Sequence, residues 1–168
     1  MEEKELIEKI YSLHFFFRQQ YELNREREIN SISPYSADIN KYIRHPEELE
    51  IYKNCNLIET FITRRTLIFP LDSNYKYDGL SNLERMLRGE SPRDAITGEV
   101  IELHHIGQKF DSPFAELPRL THCSTKTYRA LHDASIESWR INKHLILLTQ
   151  QESIKYWKIR GEMLASKY

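Results

Sequence analysis

The sequence predicts an α+β fold that is mostly helical, on three observations. Apolar residues recur every three or four positions through residues 2–28 and again from Ile141 to Tyr168, the spacing of amphipathic helices. Between them, Asp94-Ala95-Ile96-Thr97-Gly98-Glu99 reads as a tight turn leading into Val100-Ile101-Glu102-Leu103-His104, which predicts a β-hairpin. A turn-rich stretch at 72–80 divides the chain into a helical accessory region, 1–72, and a second domain, 73–168.

Each element has a local reason. In residues 2–28, Leu6, Ile10, Leu13, Phe17 and Tyr21 lie on one helical face. Phe15-Phe16-Phe17 spreads the apolar surface beyond one stripe, so this helix is expected to be buried against a core. Its mixed-sign charges argue against a membrane surface, and His14 reads as a packed or capping residue. Ser31 to Ser36 breaks the helix and starts another, from about 36 to 44. Proline after His45 is a second break. Pro46-Glu47-Glu48 opens a third helix through Tyr52, with Leu57, Ile58, Phe61 and Ile62 as a further apolar face.

In the second half, Ser81-Asn82-Leu83-Glu84 is a capping box for a short helix ending at Gly89. Asp111-Ser112-Pro113 is a loop, and Thr127 to Ala134 is expected to be helical, carrying His132 inward. In the closing helix, Tyr156-Trp157-Lys158 reads as core packing rather than a base-stacking surface.

Composition narrows the class. The chain is 40% hydrophobic and 29% charged, as in ordinary soluble globular proteins, and no apolar run approaches membrane-spanning length. The acidic amino terminus is unlike an export signal, and reduced thiols in a cytoplasmic setting are the expectation. Two cysteines, Cys55 and Cys123, make neither a disulfide framework nor a metal knuckle. A net charge of −1 does not advertise nucleic-acid binding, so any such surface must be concentrated locally.

The chemistry concentrates in Glu102-Leu103-His104-His105-Ile106-Gly107-Gln108, with His122 and His132 downstream. Neutral imidazole binds transition metals and takes protons near neutral pH. An adjacent pair can divide the work, one ring holding an ion and the other activating water. Neighbouring side chains of a strand point to opposite faces, so both rings serve one site only if the strand ends or bends there, as Gly107 allows. Glu102 shares the strand face of His104 and can hold a ligand ring. The stretch reads as a metal-dependent hydrolase centre. The plainer alternative is a structural zinc site, which has no use for an extra imidazole beside a ligand. His45 and His144 read as ordinary surface or core residues.

Taken in order, Asn82-Leu83-Glu84-Arg85-Met86, Gly89, Pro92, Thr97-Gly98, Glu102-Leu103-His104-His105, Gln108, Ala115-Glu116-Leu117, His122, Leu131-His132, Ile141-Asn142 and Tyr156-Trp157-Lys158 resemble the LHH nuclease family. That family lies within the HNH/endonuclease VII superfamily of bacterial toxin nucleases, and the Glu102–His105 stretch is also similar to an element of the nuclease colicins. The resemblance covers about residues 81–165; the first 70 residues resemble no family we can name. It implies a ββα-metal, treble-clef-like core around one divalent ion (zinc, magnesium, manganese or nickel) acting on DNA, with double-stranded DNA expected.

By the resemblance, His104 and His132 are metal ligands and His105 is the general base. His122 is the candidate third ligand, or else binds the scissile phosphate or orients a ligand. The pattern departs from many superfamily members four residues before His132, where Tyr128 stands, preceded by Thr127; neither is a good soft-metal ligand. Gln108 fixes the loop or contacts phosphate. Arg85, Arg88, Lys109, Lys126 and Arg129 are candidate phosphate contacts by proximity in sequence. An effector delivered into a target cell, with a neutralising immunity protein, is the implied setting. A restriction or homing-type endonuclease and a non-catalytic zinc-stabilised binding module are the alternatives.

Overall fold

The computed structural model describes residues 2–166. Helix α1 (Glu2–Ile32) is followed by α2 (Ala37–Asn40), α3 (Pro46–Asn54), strands β1 (Ile58–Phe61) and β2 (Arg65–Ile68), and a small ribbon of β3 (Lys76–Tyr77) and β4 (Leu80–Ser81). Then come α4 (Asn82–Leu87), β5 (Ile101–His105), β6 (Phe114–Pro118), α5 (Arg119–Cys123), α6 (Thr125–Leu131) and α7 (Lys143–Ala165). The fold is α+β and mostly helical. Among the described residues no helix is long and apolar enough to cross a membrane.

Local signals position several elements as expected. Ser81 and Glu84 form the reciprocal capping box of α4, and Gly89 ends that turn at φ +82°. Pro46 opens α3, with the His45 ring accepting a hydrogen bond from the Glu48 amide. Asn142 caps α7 by accepting from the amides of His144 and Leu145. Tyr156 and Trp157 are buried, as core packing requires.

The central sheet runs β1-β2-β6-β5. Strands β2 and β6 pair in parallel, Thr66 opposite Phe114, so the sheet continues across the boundary expected near residue 72. One core cluster likewise joins Ile29, Ile39, Leu49 and Tyr52 to Ile106, Leu117 and Leu131. A second packs Met86, Ile101 and Phe114 against Tyr156 and Trp157. Between them lies Glu116, wholly buried, which accepts from Tyr156 Oη (2.6 Å), Arg160 Nε (3.2 Å) and the Phe69 amide (2.8 Å).

Four expectations are corrected. Leu57, Ile58, Phe61 and Ile62 lie in and around a hairpin, not on a helix; short apolar runs fit either period, and here Ile58-Glu59-Thr60-Phe61 pairs with Arg65–Ile68. The histidine strand pairs with the strand after it: β5 meets β6, with His104 opposite Ala115 and His105 opposite Phe114. The arm before it shrinks to a single bridge, Arg93 to Val100, beside Pro92, whose missing N–H cannot serve a ladder. Helix α6 ends at Leu131, leaving His132 as an extended cap rather than a helical residue.

The fourth correction concerns α1. Every side chain from Lys4 to Tyr21 is exposed, including Phe15, Phe16 and Phe17, and in the whole helix only Ile29 is buried among the described side chains. The helix spans about 46 Å and meets the body only at its C-terminal end. Its apolar character was readable; a neighbour to cover it is not among the described residues.

One close approach fixes the histidine loop to the N-terminal half. Gly107 has φ +69°, and a Cβ there would lie 2.4 Å from the Tyr42 carbonyl oxygen. Gly107→Ala therefore forces backbone apart and adds left-handed strain. The expected loss of stability is about 2 kcal/mol or more, read from denaturant midpoints.

Candidate metal centre

Strand β5 ends at His105, and one turn of 3-10 helix, Ile106–Gln108, follows. Adjacent residues of β5 point to opposite faces, but because the strand stops there both rings still line one cavity of about 380 Å³. Gln108, Tyr128, His132, Trp139 and Arg140 complete much of its wall. His122 reaches the cluster from α5 without lining that cavity.

The rings of His104, His122 and His132 converge at centroid separations of 5.1, 5.2 and 5.0 Å. Nδ1 of His104 lies 3.2 Å from Nε2 of His122. Two nitrogen ligands of one tetrahedral zinc stand roughly 3.3 Å apart, so this spacing fits two ligands of a shared ion. Each of the three residues offers a nitrogen within 4.8 Å of those of the other two. Nδ1 of His132 is buried without a hydrogen-bond partner. The residues present therefore fit a histidine-bound transition metal, with open space on the cavity side for substrate oxygen or water.

The outer contacts orient the rings. Glu102 accepts from His122 Nδ1 at 2.8 Å and from Arg119 Nε at 3.1 Å. That contact directs Nδ1–H of His122 to the carboxylate and leaves Nε2 as the nitrogen facing His104. Tyr128 stacks on the His132 ring at 4.4 Å. Cys123 Sγ lies 3.8 Å from Glu102 and is exposed.

His105 occupies different surroundings. Phe114 and Trp139 meet its ring edge-on, and Phe110 stacks at 6.3 Å. Its Nε2 is buried and unpartnered. Burial, helped by the Arg64 and Arg140 charges, pulls its pKa down to about 4. His132 is also drawn down to about 4, by burial first and then by His122. His104 is pushed well below the ordinary imidazole range, by burial and by its three histidine neighbours. All three rings are thus neutral at pH 7, the form that binds metal or accepts a proton.

The other residues singled out from sequence separate. Gln108 turns its carbonyl to Arg44 Nη1 (3.0 Å) and the Asp133 amide (2.6 Å), tying the turn after His105 to the turn after His132. Arg129 lies on a groove adjoining the cavity. Lys109 and Lys126 are exposed nearby in sequence but do not line the cavity. Arg85 is turned away, donating to the Tyr77 carbonyl and pairing with Glu90, and Arg88 also lies off the cavity.

Three contributors escaped the sequence reading. Arg44 donates to Gln108 and to the Ala130 carbonyl at 2.9 Å, bracing both histidine turns from outside the resembling segment. Nothing in its local sequence marks it. Trp139 and Arg140 close the cavity beside His105; a lone tryptophan next to arginine in a polar stretch was the available cue.

Residues 81–163 match the family model LHH, described as a nuclease of the HNH/ENDO VII superfamily with conserved LHH. No solved structure matches the chain.

Two outcomes follow from this geometry. Glu102→Ala is expected to weaken metal affinity roughly 10- to 100-fold, measured by calorimetric titration of the metal-free chain. His105 and His132 have folded pKa values below the unfolded value of about 6.5, so the unfolded chain binds more protons in acid. Their stabilising contribution is complete above about pH 6.5 and is lost as pH falls toward 4. Urea midpoints of the metal-free chain should fall across that window and change little between pH 7 and 8.

Proposed function

Residues 81–163 match the LHH nucleases of the HNH/ENDO VII superfamily, and from that match we propose that this chain is a metal-dependent endonuclease that hydrolyses phosphodiester bonds of DNA. The observation that carries the reading is a division among imidazoles: three converge on one another while a fourth, His105, lines the cavity of His104 and His132 without joining them.

In this reading His104, His122 and His132 hold one divalent ion. When bound, it supplies Lewis-acid stabilisation to a phosphate oxygen and the departing 3′ oxygen. His105, neutral and with an unpartnered nitrogen, takes the proton from attacking water. The aromatic walls of Phe110, Phe114 and Trp139 fix that ring and keep it uncharged until the proton arrives. Arg140, on the rim, is placed to meet a phosphate, and Glu102 holds His122 in its ligating tautomer. Gln108 acts through the loop rather than on substrate, since its carbonyl is already engaged twice. The proposed setting is a bacterial toxin or effector, kept harmless in its producer by an immunity protein.

The test is plasmid cleavage by the purified chain, with and without EDTA, beside His105→Ala. Cleavage should require metal, and His105→Ala should reduce the rate roughly 10²- to 10⁴-fold with metal affinity retained. Intact plasmid in every lane, with ion binding confirmed by titration, would instead establish a zinc-stabilised binding module. Growth arrest on expression in a bacterial host, relieved by His105→Ala, tests the toxin role.

A further inference from the structure

Tyr128 lies in α6, four residues before His132. One face of its ring stacks on His132, with 25° between the planes, yet the side chain is 52% exposed. The outward part of the ring therefore faces solvent beside the cluster. Packing alone would explain the inner contact; it does not require a large aromatic left half uncovered.

That exposed ring stands where two hollows meet. The histidine cavity and a second groove of about 650 Å³ share Tyr128, His132, Asp133, Ala134 and Ile136. The second groove runs from there to the C-terminal part of α1, where Tyr21 and Arg25 form its far wall and Arg129 lies alongside. Its two acids are offset by arginines: Glu22 pairs with Arg25 at 2.9 Å, and Asp133 stands 3.9 Å from Arg44. Together the two hollows carry Arg25, Arg44, Arg129 and Arg140 against Glu22, Asp133 and Glu137, and an arginine-lined channel with an aromatic face at its midpoint suits single-stranded nucleic acid, because every base offers a π face and every linkage a phosphate.

Resting on the nuclease reading of the same site, we propose that Tyr128 is the stacking platform for an unpaired nucleobase next to the scissile phosphate. The strand then runs from the histidine cavity over α6 to the end of α1, with Arg129 contacting a phosphate on the way. The substrate class is nucleic acid presenting a single-stranded or locally opened segment at the cut, and a fully paired duplex must expose a base to react. This makes the end of α1, outside the family match, part of the substrate surface.

Binding of short fluorescently labelled oligonucleotides to the full chain in EDTA isolates this step from cleavage. Single-stranded DNA, single-stranded RNA and blunt duplex DNA are compared for the parent, Tyr128→Ala, Tyr128→Phe and Arg129→Ala. The single strands should bind more tightly than the duplex. Tyr128→Ala should weaken single-strand binding roughly 5- to 100-fold, and Tyr128→Phe should keep it. Arg129→Ala should lower the slope of log affinity against log salt by about 0.7. Equal affinity of the parent and Tyr128→Ala for single strands would overturn the proposal, as would tighter binding of the duplex by the parent. Loss of metal affinity in Tyr128→Ala, with strand binding intact, would make the tyrosine only a support for His132 and overturn it too. Metal-dependent plasmid cleavage by the parent in any of these cases leaves the nuclease reading standing, so the two failures are separable. Melting curves confirm that each variant is folded.

Discussion

The structure turns on crowding three imidazoles into one buried space. Two ring nitrogens 3.2 Å apart need a proton or a cation between them, because two lone pairs facing each other repel. Without an ion, the neutral Nδ1–H tautomer of His104 supplies that proton to Nε2 of His122, and the cost falls on Nε2 of His104, left buried and unpartnered. A divalent ion shared by the three rings would take the place of that proton as their common partner. Glu102 sharpens the preference by claiming the other nitrogen of His122 and directing its lone pair inward.

Holding the rings that close takes more than the histidine hairpin. Glu48, fully buried, accepts from Tyr52 Oη (2.7 Å), the Arg44 amide (2.8 Å) and the Gly107 amide (3.2 Å). Arg44 continues the chain of contacts to Gln108 and Ala130, so α3 and the turn before it clamp the loops after β5 and α6. The N-terminal half is thus part of the frame of the site: β2 lends its edge to β6, and Tyr42 meets Gly107 backbone to backbone. A carboxylate buried with this many donors is costly to strip of any one partner.

What could be read from the sequence was what is local. The capping box at Ser81, the glycine stop at Gly89 and the start of α3 at Pro46 depend on neighbours within four residues, and their chemistry is specific. The histidines were legible because imidazoles are scarce and their clustering is not explained by packing. Strand partners were not: the residues of β5 pair equally well with an arm before or after them, and only the assembled sheet chooses. Arg44 was invisible for a related reason, since it acts on residues 64 and 86 positions away. Tyr128 was noticed for what it could not do as a ligand. Its stacking on His132 is seen only with the side chains in place.

Burial was the property least available in advance, and α1 shows why. Amphipathic spacing says which residues would share a contact, never whether a neighbour arrives. The consequence reaches into handling. A long rod of uncovered phenylalanine, leucine and isoleucine is joined to a chain whose positive and negative side chains almost cancel, with an isoelectric point near 6.7. Close to that pH, electrostatic repulsion between molecules is weakest, and salts excluded from protein surfaces strengthen apolar adhesion. Solubility should therefore pass through a trough just below neutrality and deepen steeply with sulfate.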